Sequence, residues 1–222
     1  MGNNLQLPSK SDIKNVLDLE DKKLPSFPQV AAKLLEAFRD DTASLEDLSK
    51  IVETDPGLSV RIFEIVNSAA YGLGRRITAL SEAMVYLGLN EVKKLAIEMT
   101  VFDKLFKSRQ SGEFDRLFFW RHCLSVAVLS SRIASETGYS DPEEAYIAGL
   151  LHDVGKIFLD IRGRKNYSEF ILQLTTATDQ VIENERAFIG LGHDDIGAYL
   201  CDLWKLPEKL TQVVKYHHQP FG

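Results

Sequence analysis

Five histidines stand in the second half of the chain: His122, His152, His193, His217 and His218. His152 is followed directly by Asp153 inside the apolar stretch "AGLLHDVGKIFLD", and Lys156 comes three residues after the carboxylate. A carboxylate among such neighbours is costly unless something pairs with it. Imidazole and carboxylate together are the donors of zinc, manganese and iron hydrolase centres. Each histidine also has a simpler reading. His122, on an apolar helical stripe, suits a hydrogen-bonded core residue, and His193, after glycine, suits a plain helix start. The His217-His218 pair closes a helix and can bind its last carbonyls, where positive charge is favoured. Taken with the apolar His-Asp pair, the set points to at least one bound metal ion.

Composition narrows the classes further. At 222 residues, 45% hydrophobic and 26% charged, the chain can bury a real core as one large or two small domains. A formal net charge of -6 argues against a general electrostatic grip on nucleic acid. Arg75-Arg76, Lys93-Lys94 and the basic run from Arg162 to Lys165 read as solvated helix ends or loops. Cys123 and Cys201 lie in apolar helical patterns and suit buried, reduced thiols of a cytoplasmic protein. The opening "MGNNLQLPSK" lacks the apolar core of a signal peptide, and Gln6 stands where a myristoylation motif needs a hydroxyl. No apolar run approaches a membrane span. The expectation is a soluble, cytoplasmic chain.

The elements that must position the histidines read as helices throughout. A helix is predicted over Gln29 to Asp40, with Val30, Leu34, Leu35 and Phe38 on one face. Ser44 with Asp47 forms a capping box, and Asp55-Pro56 supplies an N-cap followed by proline in the first turn. Gly72 and Gly74 interrupt the pattern; helices resume at Ser81 and after Asn90, whose side chain is a candidate cap. Polarity rises over Lys107 to Gly112, the expected junction of two helical lobes. The second lobe opens with a helix from about Glu113 to Thr137 stopped by Gly138, its stripe Phe118, His122, Ser125, Val126 and Leu129 facing inward. Asp141-Pro142 repeats the cap-then-proline start. Further helices are expected at Tyr167 to Thr175, Asp179 to Ile189, Asp194 to Trp204 and Pro207 to His217. Sustained two-residue alternation is missing, so the fold class is all-α without a substantial sheet. Trp120 and the Phe118-Phe119 pair are expected to be buried.

In order, His122, His152-Asp153, Lys156, His193 and His217-His218 resemble the HD metal-dependent phosphohydrolases, with spacing nearest the HD-GYP phosphodiesterases that degrade cyclic di-nucleotides. "LPSFPQVAAKLLEAF", "DPGLSVRIFEIVNSAAYG" and "ITALSEAMVYLGLNEVKKLAI" resemble the HDOD domain, the HD-related output domain of bacterial signalling proteins. This resemblance covers Leu24 to the end. It implies two packed helical lobes, 24–110 and 111–222, the second HD-domain-like, after an N-terminal extension of residues 1–23.

The resemblance also implies roles. His193, His217 and His218 match ligands of one metal, with Asp153 bridging to a second bound by His122 and His152; one or two divalent ions (Fe, Mn or Zn) are the implied cofactors. Asp153 and Lys156 would be the catalytic residues of an active enzyme. The second metal's further ligand in the family is an Asp on a later helix, and the sequence given ends at Gly222 before one. Phe118 replaces a glutamate of the cyclic di-nucleotide enzymes, and "QPFG" follows the histidine pair without a GYP signature. Asn67, Ser68 and Tyr71 are expected to be structural. The family implies signalling partners or fused domains and admits a nucleotide or phosphate ligand, while the net charge disfavours nucleic acid and the missing apolar span disfavours membrane. A metal-binding regulatory domain without strong catalysis is the reading this supports; a metal-dependent phosphodiesterase acting on a nucleotide or cyclic di-nucleotide is the alternative.

Overall fold

A computed structural model describes residues 7–18, parts of 30–36, 44–101, 114–173 and 180–219. Every extended element among them is a helix. The only pairing of the strand type among the described residues is one isolated antiparallel bridge, Leu17 to Gly163. The helix expected over 29–40 lies mostly outside the described residues, although Leu34 within it is buried. The junction expected at 107–112 and the "PFG" end lie wholly outside them.

The chain divides into two compact units, residues 26–106 and residues 1–25 with 107–222. In the first, α2 (Leu45–Glu53), α3 (Pro56–Val66), α4 (Leu80–Leu87) and α5 (Leu89–Val101) surround Leu48, Val52, Leu58, Ile62, Met84 and Ile97. The local signals act as read. Ser44 and Asp47 bond reciprocally at the start of α2, and Asp55 accepts from the Gly57 and Leu58 amides ahead of Pro56. Asn67 is structural: its Nδ2 donates to the Phe63 and Ile77 carbonyls at 2.9 Å, and its Oδ1 accepts from the Ile77 amide at 2.7 Å. One cap differs from expectation. Helix α5 begins at Leu89, so Asn90 lies inside it, and Gly88 with φ +79° makes the turn ahead of it.

The second unit contains α1 (Lys10–Val16), α6 (Arg116–Glu136), α7 (Pro142–Leu151), α8 (Val154–Arg162), α9 (Tyr167–Gln173), α10 (Val181–Ile189), α11 (His193–Leu203) and α12 (Glu208–Tyr216). Residues read as an N-terminal extension group here. Ile13, Val16 and Leu17 are buried, and the backbone pairs Asp18 N–H with Arg162 O at 2.7 Å and Arg164 N–H with Val16 O at 2.8 Å. The basic run thus serves structure: Arg164 Nε donates to Lys14 O, and Lys165 Nζ to Phe188 O.

Helix α6 corrects the expected stripe. Its buried side is Arg116, Phe119, Cys123, Ala127 and Ala134, while Phe118 is 71% and Leu129 60% exposed and Trp120 is half-buried. Apolar residues occupy both sides of this helix, so periodicity alone selected the wrong one. The deciding contact is with α7: a Cβ at Gly149 would lie 2.8 Å from Ala127 Cα. Such close approach is possible only where small residues face each other, which turns the Ala127 side inward.

Candidate metal centre

Four elements bring the donors together. His122 comes from α6, His152 and Asp153 from the α7–α8 corner, His193 from the first turn of α11, and His217-His218 from the end of α12. Gly155 sets the distance between α8 and α11, since a Cβ there would sit 2.0 Å from the His193 carbonyl oxygen. An ion network fixes the neighbouring helix ends. Arg186 of α10 bonds Asp194 at 2.8 Å and Asp195 at 3.2 Å, and Lys215 of α12 reaches both carboxylates.

Asp153 lies at the middle and is buried. Its Oδ1 is 3.0 Å from His193 Nε2 and 3.4 Å from His217 Nε2; its Oδ2 is 3.3 Å from His152 Nε2 and 3.5 Å from His122 Nε2. His218 Nε2 joins the first side, 3.1 Å from His193 Nε2. The two donor groups are therefore Asp153, His193, His217 and His218 on one side and His122, His152 and Asp153 on the other. Lys156 Nζ donates to Asp153 Oδ2 at 2.7 Å. Every residue singled out as a ligand is in this cluster, with Lys156 at its edge. The His122 side chain is 47% exposed, so the second group opens outward. A groove of about 600 Å³ between α6, α7 and α12 reaches His152 and His217.

The proton positions favour a cation. His152 Nδ1 faces the Gly149 carbonyl at 2.7 Å, His217 Nδ1 the Val214 carbonyl at 2.9 Å, and His193 Nδ1 the Glu185 carboxylate at 2.7 Å. Acceptors at Nδ1 place the proton there and leave Nε2 as a lone pair in the neutral ring. Yet His193 Nε2 is 3.3 Å from His217 Nε2. Lone pairs held this close repel unless a positive charge sits among them. Asp153 Oδ1, despite its near imidazoles, has no hydrogen bond of acceptable angle. The donor set on each side is close enough to fit a divalent ion. His217 Nδ1 binds the Val214 carbonyl as a helix-end histidine can, and its Nε2 belongs to the first donor group.

Protons compete with a cation for these Nε2 atoms. Burial alone would raise the Asp153 carboxyl, but the surrounding imidazoles hold it well below the usual carboxylate range. Burial would lower His193; the Asp153 and Glu185 carboxylates outweigh it and raise the ring above its ordinary 6.5. For His218, burial and then the His217 and His193 rings push it down to about 4, so it is neutral and ready to ligate near pH 7. Cys123 and Cys201 are buried free thiols outside the cluster, and burial pushes Cys201 up to about 12. Sequence reading missed Glu185. It sits in the charged run "IENERAF", which looks like a solvated helix face, and the one available clue was its place eight residues before His193.

Among the described residues, no helix is long and apolar enough to cross a membrane. The chain is 27% identical over 209 residues to a protein of Treponema pallidum (strain Nichols), covering 88% of this chain and 38% of that protein. It is 23% identical over 211 residues to ribonuclease Y of Helicobacter pylori (strain ATCC 700392 / 26695), covering 89% of this chain and 39% of that one. The chain therefore spans about two fifths of the length of these relatives. An HDOD domain protein of Geobacter sulfurreducens has the same fold, with TM-score 0.78 and 27% identity over 95% of this chain and 68% of that one. The HDOD family model matches residues 24–220, and the chain belongs to the HDOD domain family.

Proposed function

We propose that this HDOD domain is a cytoplasmic bacterial signalling domain whose HD-like unit holds one or two divalent ions of iron, manganese or zinc. The observation that carries this reading is the convergence of four imidazole Nε2 atoms on the two oxygens of one buried carboxylate, with the His218 Nε2 beside that of His193. His193, His217 and His218 with Asp153 would hold the first ion, and His122 and His152 with Asp153 the second. Signalling through protein partners or fused domains fits the family and the greater length of the relatives. Loss of metal would uncouple α11 and α12 from the α7–α8 corner, a change a partner can sense.

A second reading, phosphodiester hydrolysis, is favoured by the outward-opening His122–His152 group and the Lys156 ammonium beside it. A bound ion would supply a water of lowered pKa and a Lewis acid for phosphate oxygens. Asp153 would orient the imidazoles and Lys156 would hold a phosphate oxygen. A nucleotide or cyclic di-nucleotide suits this site, and one relative is named a ribonuclease. Metal analysis of the purified chain, with turnover assays on cyclic di-nucleotides and RNA, tests both readings. Bound metal with negligible turnover supports the signalling domain. Metal-dependent hydrolysis abolished by Asp153→Ala promotes the hydrolase, and failure to bind metal defeats both.

A further inference from the structure

The ligand set leaves out one carboxylate that the site is built around. Glu185, on α10, is 0% exposed. Apart from the His193 ring, its hydrogen-bond partners among the described residues are neutral groups. The Tyr167 hydroxyl donates to Oε1 at 2.7 Å, and the His193 amide and His193 Nδ1 both donate to Oε2 at 2.7 Å. A buried anion without a cationic partner is costly. Here the positive charge that offsets it has one route in, through the His193 ring.

We propose that Glu185 is the positioning residue of the metal centre, fixing the proton of His193 on Nδ1 and strengthening its Nε2 as a ligand. This rests on the metal-binding reading above. One carboxylate oxygen holds both the backbone and the ring of His193, so the imidazole has little freedom to turn away from Asp153. The other oxygen is held by Tyr167, whose ring lies 5.9 Å from both Phe114 and Phe170. Next along α10, Arg186 ties the helix to Asp194 and Asp195 of α11, so Glu185 and His193 keep their spacing. His152 and His217 rest their Nδ1 atoms on neutral carbonyls, whereas His193 rests on a charge. A carboxylate in this position raises ligand basicity more than a carbonyl does. His193 is accordingly the ligand that sets affinity.

The test uses the full chain with Co²⁺ as probe, read by chelator competition and by the visible absorption of the bound ion. Glu185→Gln preserves length, leaves an amide oxygen for His193 and removes the charge. Its Co²⁺ affinity should fall about 10–100-fold with a shifted cobalt spectrum, while its metal-free unfolding profile stays close to wild type. If His193→Ala abolishes tight binding but Glu185→Gln keeps the affinity and spectrum of wild type, the positioning role is overturned and the metal reading stands. If wild type and His193→Ala bind cobalt equally poorly, the metal reading itself has failed. Should the Gln variant not fold without metal, Glu185→Asp carries the test, since it withdraws the charge by one methylene. Weakened cobalt binding by Glu185→Asp supports the proposal, and wild-type affinity overturns it.

Discussion

Replacing Asp153 by asparagine separates its structural role from its role towards a cation. The side chain is 2% exposed, with Lys156 Nζ at 2.7 Å and four imidazole Nε2 atoms between 3.0 and 3.5 Å. Asparagine keeps the shape and removes the charge. In chelator the loss is one charge-assisted bond to Lys156 plus the attraction to His193, about 1–3 kcal/mol. In the presence of metal the larger effect appears. An ion at 100 times its dissociation constant stabilises the native state by about 2.7 kcal/mol. For a unit of this size each kcal/mol moves the melting temperature by about 3–5 °C, so Mn²⁺ should raise the wild-type midpoint by about 10 °C. Scanning calorimetry of both proteins in chelator and in Mn²⁺ gives the four midpoints required. The metal-induced rise should nearly vanish in Asp153→Asn. An equal rise in both proteins would refute the reasoning, because the carboxylate shared by both donor groups would then be dispensable.

Other parts of the molecule yield independent expectations. Gly155→Ala should destabilise by about 3 kcal/mol or more and weaken metal binding, since its Cβ meets the His193 carbonyl carbon and oxygen; Gly74→Ala, facing open space, should change neither in a denaturation and metal-titration series. Phe118→Ser should shift stability by no more than about 0.5 kcal/mol, whereas Phe119→Ala should cost about 3–5 kcal/mol in urea unfolding. The Ser44 bonds hold the Asp47 carboxyl below its ordinary 3.8. A depressed folded value means the stabilisation is present above that 3.8 and is lost as pH falls through the lowered value. NMR titration should find the Asp47 carboxyl raised toward its ordinary value in Ser44→Ala, the backbone bond at residue 44 keeping part of the lowering.

Much of this architecture is legible in local chemistry. Asp55-Pro56 and Asp141-Pro142 act at short range and start their helices as the residue types dictate. The ligand histidines could be grouped because helix ends collect side chains from several elements. What escaped reading depends on distant partners. Phe118 and Phe119 are equally apolar, and only the Ala127–Gly149 approach decides which faces inward. Nothing within residues 10–18 announces that their backbone will pair with Arg162 and Arg164. Glu185 resembles its charged neighbours in sequence; its burial arises from Tyr167 and His193, eighteen and eight residues away.

The most direct measurement is an anomalous-scattering map from crystals grown with saturating Mn²⁺. The expected result is a peak enclosed by Asp153 Oδ1 and the Nε2 atoms of His193, His217 and His218, at about 2.0–2.3 Å from each, with any second peak between Asp153 Oδ2, His122 and His152. A map without anomalous density at Asp153, with the five imidazoles still converging, would contradict the central claim that this cluster exists to hold a cation.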